Sequence, residues 1–129
     1  MKYIRLFGLL ALLMGLMVVA VDCTSSPKAL DTEADFTGWV TEIHPIGENG
    51  TLGQILVEDQ SDKLVDKYMV TIKDETLIFK QDGENLHQVA FAALETTQQV
   101  QIWVSGPIIE SFPMQATAQQ VVIVKKYWE

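Results

Sequence analysis

Short segments in which apolar and polar residues alternate recur along most of this chain. The clearest is KYMVTIKD, where Tyr68, Val70 and Ile72 fall on one side of an extended chain and mostly polar residues fall on the other. A period of two residues indicates a β-strand with one buried face. Further predicted strands are FTGWVTEI, QILVE, TLIFK, QVQIWVSG and TAQQVVIVKK, separated by turn-forming stretches such as HPIGENGTLG and QDGEN. The chain is therefore predicted to be mainly β-structure, with five or six strands.

Two of these predicted strands have features beyond simple alternation. In FTGWVTEI, Phe36 and Val40 fall on one face, while Trp39 and Ile43 fall on the other. In TAQQVVIVKK, residues 121–124 are all apolar, which indicates burial on both faces of the strand.

The segment NLHQVAFAALETT, which precedes the last two predicted strands, has a mixed character. Its apolar residues have the spacing of an amphipathic helix, while HQVAF also suits a brief strand leading into a helical turn. Residues 84–95 are thus either a helix or a strand followed by a turn, and at least one helical turn is favoured. A helical element in this place matches a five-stranded Greek-key barrel of the oligonucleotide/oligosaccharide-binding (OB) type. A small antiparallel, OB-like barrel is the predicted fold.

The connection SGPIIESFP, between the last two predicted strands, is rich in residues that restrict the backbone. Gly106 permits a sharp bend, and Pro107 cannot donate a hydrogen bond to a β-ladder. Pro113 confines Phe112 to extended geometry. This composition predicts a stiff loop that ends one strand and sets the register of the next.

The first 23 residues have the layout of an export signal. Lys2 and Arg5 precede an uncharged apolar run over residues 6–21, which is shorter than the roughly 20 residues that span a bilayer. Residues 24–35 are polar and are predicted to be a flexible linker. A single β-barrel domain over residues 36–129 is predicted to follow.

Cys23, the only cysteine, lies two residues after the apolar run, and the lipidated cysteine of bacterial lipoproteins has a similar place. Lipidation of Cys23 is one prediction, although Asp22 stands where lipoprotein signals have a small residue. Cleavage after Ala20 is an alternative, and an uncleaved leader is another. Each of them places the protein outside the cytoplasm, either secreted or attached to the outer face of the membrane.

The composition of the chain excludes some classes of function. Residues 24–129 carry seven lysines, no arginine and 16 acidic residues, a formal charge of −9. Nucleic-acid binders need clustered basic residues, so no nucleic-acid partner is predicted. His44 and His87 are far apart in the sequence, and no Cys–His pair, zinc-binding spacing or phosphate-binding glycine motif occurs. The chain is predicted not to be an enzyme and to use no metal or cofactor.

The aromatic residues suggest a binding surface. Trp39 and Trp103 each fall opposite the more apolar face of their predicted strand, and Phe112 lies in the stiff loop. If these rings point outward together, they form a patch suited to stacking on sugar rings or on apolar side chains of a partner, with Glu110 and Gln115 as polar contacts. The alternative is that both tryptophans pack against the barrel, because tryptophan is highly buried on average.

The string IWVSGPIIESFPMQATAQQVVIV resembles the end of the YobA-like family, small secreted proteins of Gram-positive bacteria classed as a domain of unknown function. FTGWVTEI, GQILVED and VTIKDETLIF agree with that family in order, so the resemblance covers roughly residues 36–124. Thr97 stands at a position that is commonly Gly in the family. The resemblance implies secretion but brings no activity, cofactor or catalytic residue with it.

These features predict a non-enzymatic binding or accessory module of the cell envelope. Its expected partner is a cell-wall glycan or an envelope protein, and its expected contact with the membrane runs through the N-terminal segment or a lipid. The alternative is a structural or regulatory domain that contacts another envelope protein.

Overall fold

A computed structural model describes residues 28–59 and 66–127, and most of this part is β-structure. The seven strands are β1 (Phe36–Glu48), β2 (Thr51–Asp59), β3 (Asp66–Lys73), β4 (Leu77–Asp82), β5 (Asn85–Gln88), β6 (Gln98–Val104) and β7 (Met114–Lys126). One 3-10 turn, Phe91–Ala93, precedes β6.

Five of the strands form a closed barrel. β1 pairs antiparallel with β2 and β6, β2 pairs with β3, and β6 pairs with β7. A parallel pairing of β3 with β7 closes the circle. This order, with a helical turn before the last two strands, is that of an OB-like Greek-key barrel, so the predicted fold is confirmed.

The hairpin of β4 and β5 is an addition to the five barrel strands. β7 is long enough to have two parallel neighbours: its first residues pair with β3, and its later residues pair with β4. At the changeover the buried hydroxyl of Thr76 donates a hydrogen bond to the carbonyl oxygen of Ala118, with an oxygen–oxygen distance of 2.7 Å. The ambiguous residues 84–95 contain strand β5 followed by the 3-10 turn, which is the second of the two predicted alternatives.

The main core fills the barrel and comes from the inward face of each barrel strand. Val70 and Ile72 are fully buried, as the alternation of KYMVTIKD predicts. At one end of the barrel, the 3-10 turn brings the Phe91 ring over Gly53, where a Cβ atom would lie 2.5 Å from the ring. Because glycine has no Cβ atom, the backbone of Gly53 leaves the space in which the turn packs.

Ile43 departs from the predicted face of β1. A β-bulge between Val40 and Glu42 inserts one extra residue into β1 opposite β2. The extra residue reverses the alternation that follows, because side chains in a strand alternate strictly between faces. As a result Ile43 packs against the same core as Val40 and not on the face of Trp39.

A second, smaller cluster lies on the outer face of the sheet. Phe79 of β4, Trp103 of β6 and Val122 of β7 are buried there, and Ala29 and Ala34 pack against them. The burial of residues 121–123 confirms the prediction that this part of β7 is buried on both faces. Trp103 is 8% exposed, which corrects the expectation that its side chain is presented outward to a ligand.

The segment 28–35, part of the predicted linker, covers this outer cluster. The backbone N–H of Leu30 donates to Oε1 of the buried Gln120 at 2.7 Å, and the Trp103 indole N–H donates to the carbonyl oxygen of Thr32 at 3.0 Å. The backbone N–H of Asp35 donates to the carbonyl oxygen of Ile102 at 2.9 Å. These bonds attach the segment to the barrel, although its side chains are mostly polar.

The remaining predictions for the N-terminus concern residues outside the described ranges. The signal segment 1–23, with Cys23, and residues 24–27 of the linker belong to this group. Within residues 28–59 and 66–127, no helix is long and apolar enough to cross a membrane.

Candidate functional site

The five residues of the predicted patch lie in three different places. Trp39 is half-buried on the outer face of β1, and its neighbour in β6 is Gln99. Trp103 lies four residues further along β6, roughly 13 Å away at the usual rise of a strand. Because Trp103 is also covered by the segment 28–35, the two tryptophans do not form a common surface.

The other three members of the predicted patch lie around the loop before β7. Phe112 is 91% exposed, and Glu110 is also exposed. Gln115 is exposed, and its backbone forms two hydrogen bonds with the backbone of Ile109, at 2.8 and 3.0 Å. β2 separates Trp39 from the loop, because Glu58 of β2 pairs with Trp39 on one side and with Lys67 of β3 on the other, and Lys67 lines a hollow with Phe112.

Tyr127, which follows β7, contacts Trp39, and the rings of Trp39 and Tyr127 form one wall of an open groove. Their centroids are 5.6 Å apart at an interplanar angle of 68°, an edge-to-face contact. The groove has a volume of about 390 Å³, and it is lined by Trp39, Val40, Thr41, Thr96, Thr97 and Tyr127. Tyr127 is absent from the predicted patch because the sequence interpretation assigns this aromatic residue to packing and not to function.

The backbone of Thr97 connects β1 to the residue after β7 at the groove. Its N–H donates to the carbonyl oxygen of Val40 at 2.8 Å, and its carbonyl oxygen accepts from the N–H of Tyr127 at 2.8 Å. Thr97 has a φ of 72°, in the left-handed region that suits glycine. Glycine would adopt this conformation without strain.

Replacing Thr97 with Gly is expected to raise the free energy of unfolding by about 0.5–1 kcal/mol. Relief of the left-handed strain is worth roughly 1–2 kcal/mol, and the greater freedom of Gly in the unfolded chain offsets part of it. Urea denaturation measures the change. Thr96→Gly is the matched control, because Thr96 has no positive φ and its replacement should lower the free energy of unfolding. Equal losses of stability in the Thr97→Gly and Thr96→Gly variants would contradict the role of strain at Thr97.

An ion pair joins the residues that precede Thr96 and Tyr127 in the sequence. The ammonium group of Lys126 and the carboxylate of Glu95 are 2.7 Å apart. The hydrogen bond from Lys126, together with its charge, lowers the pKa of Glu95 below its usual value. The pair thus links the chain just before Thr96 to the chain just before Tyr127.

The reactive side chains outside the groove are dispersed. His44 lies 3.8 Å from Glu42, and His87 lies 4.0 Å from Asp82, each on an exposed surface. Among residues 28–59 and 66–127, no three His, Cys, Asp or Glu side chains come close enough together to hold a metal ion.

Comparison with known proteins gives one match. A family described as "Protein of unknown function (DUF3221)" matches residues 49–125, more than half of the chain and the part from the β1–β2 turn to the end of β7. No curated protein matches the chain. No solved structure matches it either.

Proposed function

The chain belongs to the DUF3221 family of proteins of unknown function, and from its surfaces we propose that it is an exported, non-enzymatic binding or accessory module of the cell envelope. The resemblance to the YobA-like proteins of Gram-positive bacteria supports export. The acidic composition supports a soluble domain beside the membrane, because a charge of −9 on residues 24–129 discourages contact with anionic lipid.

The observation that carries this proposal is the groove between Trp39 and Tyr127. Tyr127 is 75% exposed, although it follows a strand whose apolar residues are buried. Aromatic rings beside hydroxyl groups suit the apolar faces and the hydroxyl groups of sugars. Thr41, Thr96 and Thr97 supply the hydroxyl groups of the lining. We therefore assign a cell-wall glycan as the expected ligand.

Titration with soluble cell-wall fragments tests this assignment. Sugar binding in the groove is expected to shift the fluorescence of Trp39, and Tyr127→Ala is expected to weaken binding about 3- to 10-fold, the range of a lost aromatic contact. Phe112→Ala is the matched control because Phe112 is also exposed but lines a different hollow from the groove. Equal weakening by both variants, or no shift with wild type, would contradict a glycan site here. Chemically altered fragments would contradict the non-enzymatic proposal.

The proposed location is the outer face of the membrane, reached through the leader or through a lipid on Cys23. Metabolic labelling with a palmitate analogue is expected to label the wild type and to leave Cys23→Ala unlabelled. An unlabelled wild type would instead support cleavage after Ala20 or an uncleaved leader.

A second candidate function is a structural or regulatory domain that contacts another envelope protein. The exposure of Phe112 together with Ile108 and Ile109 favours it, since several exposed large apolar side chains on one loop mark an interaction site. This surface is separate from the groove, so both functions are compatible with one molecule.

A further inference from the structure

The loop before β7 exposes three apolar side chains within five residues. Ile108, Ile109 and Phe112 are 36%, 58% and 91% exposed. Single exposed apolar residues are ordinary on protein surfaces, but a cluster of large ones on one loop marks an interaction site. Together with Glu110 and the adjoining start of β3, these residues form a surface that we call the loop end.

The backbone of the loop end is held in place by several hydrogen bonds. Ile109 and Gln115 exchange backbone hydrogen bonds in both directions, and the Ser111 hydroxyl donates to the carbonyl oxygen of Pro113 at 2.7 Å. Phe112 lies between these two braces. A side chain on a loop that is already ordered loses less conformational freedom on binding, which favours Phe112 as an anchor.

Acidic side chains surround this anchor. Glu110, Asp66 and Phe112 line the same hollow of about 290 Å³. The basic residue of this hollow, Lys67, is 3.4 Å from Glu58 and is therefore already engaged by a carboxylate. Burial, and then the charges of Asp66 and Asp59, raise the pKa of the neighbouring Tyr68. The field at the loop end is therefore negative.

We propose that the loop end is a docking surface for a protein that has an apolar pocket rimmed by Lys or Arg. Phe112 enters the pocket, with Ile109 beside it, and Glu110 and Asp66 face the basic rim. The negative field decides between a protein and a membrane, because an anionic bilayer surface repels acidic side chains and a basic protein rim attracts them. This inference rests on the second candidate function, and it does not involve the groove.

Site-specific photocrosslinking in isolated envelopes of the native host tests the proposal. The full chain carries p-benzoylphenylalanine in place of Phe112 or, as the control, in place of Ile46, which is 44% exposed near the other end of β1. The expected result is a discrete protein adduct from position 112 and none from position 46. The crosslinked peptide of the partner should contain apolar residues flanked by Lys or Arg.

The charge of the loop end is tested in the same experiment. Glu110→Lys is expected to reduce the yield of the adduct at least about threefold, and about 1 M salt, where the Debye length is ~3 Å, should reduce it similarly. Tyr127→Ala should leave the yield unchanged. An unchanged thermal unfolding midpoint of the Glu110→Lys chain excludes loss of folding as the cause.

Three results would overturn the docking surface. They are a lipid adduct at position 112, equal adducts from positions 112 and 46, and an adduct that resists both salt and Glu110→Lys. A protein adduct from position 46 alone would overturn it while keeping the second candidate function, because the chain would then contact a protein through another surface. No protein adduct from either position would overturn both.

Discussion

Replacing Trp103 with Ala is expected to lower the free energy of unfolding by about 3–4 kcal/mol, the usual range for truncating a buried aromatic side chain. The indole is 8% exposed and packs with Phe79 and Val122. Its N–H also donates to the carbonyl oxygen of Thr32, so the variant loses one attachment of the segment 28–35 as well. Urea denaturation of the wild type and the variant, followed by circular dichroism, measures the change.

Phe112→Ala is the control for the Trp103→Ala prediction. Phe112 belongs to the same predicted patch but is 91% exposed, so its truncation should change stability by less than about 0.5 kcal/mol. Trp103→Phe should cost less than Trp103→Ala, because it keeps an apolar ring and loses the hydrogen bond, worth about 1 kcal/mol. Equal small losses for Trp103→Ala and Phe112→Ala would mean that the segment 28–35 does not cover Trp103 in solution.

Alternation alone could not decide between the two alternatives for Trp103, because it tells which side of a strand a residue faces and not what covers that side. The burial of Trp103 agrees with the alternative that this tryptophan packs against the barrel. The covering segment attaches largely through backbone groups, as in the hydrogen bond from Leu30 to Gln120, two residues that are 90 positions apart. Backbone groups are the same in every residue, so the polar composition of the segment 28–35 carries no sign of its docking. The apolar run 121–124 does indicate that something covers the outer face of β7, because burial on both faces requires a second apolar layer there.

The barrel itself could be predicted because its core depends on periodicity. Val70 and Ile72 are fully buried as KYMVTIKD indicates, and the position of the helical turn before β6 is sufficient to distinguish the OB-like order. Ile43 shows where periodicity fails, since a single inserted residue reverses the faces after it. The β-bulge responsible has no distinctive residue type, so alternation alone cannot locate it.

The groove combines residues that no sequence pattern connects. Trp39 comes from β1, Thr97 from the turn before β6, and Tyr127 from the residue after β7. Their proximity depends on the pairing of β6 with both β1 and β7 and on the left-handed backbone of Thr97.

The other large effect is expected at Gly38, in the buried part of β1. A Cβ atom there would lie 2.6 Å from the carbonyl oxygen of Glu58 and 2.7 Å from Cγ1 of Val57, both in β2. A glycine within a strand often marks such a close approach of two backbones. Gly38→Ala is expected to lower the free energy of unfolding by about 2–3 kcal/mol, the range of an overpacked core, because backbone atoms of β2 would have to move.

Gly83→Ala separates this steric effect from the general effect of replacing a glycine. Gly83 has a φ of +61° and nothing within 4 Å of the position of a Cβ atom, so its replacement carries only conformational strain, about 1 kcal/mol. Gly38 has no positive φ, so its loss comes from the contact with β2. If Gly38→Ala were no more destabilising than Gly83→Ala in urea denaturation, β1 and β2 could separate without cost, and the close approach at Gly38 would not constrain the barrel.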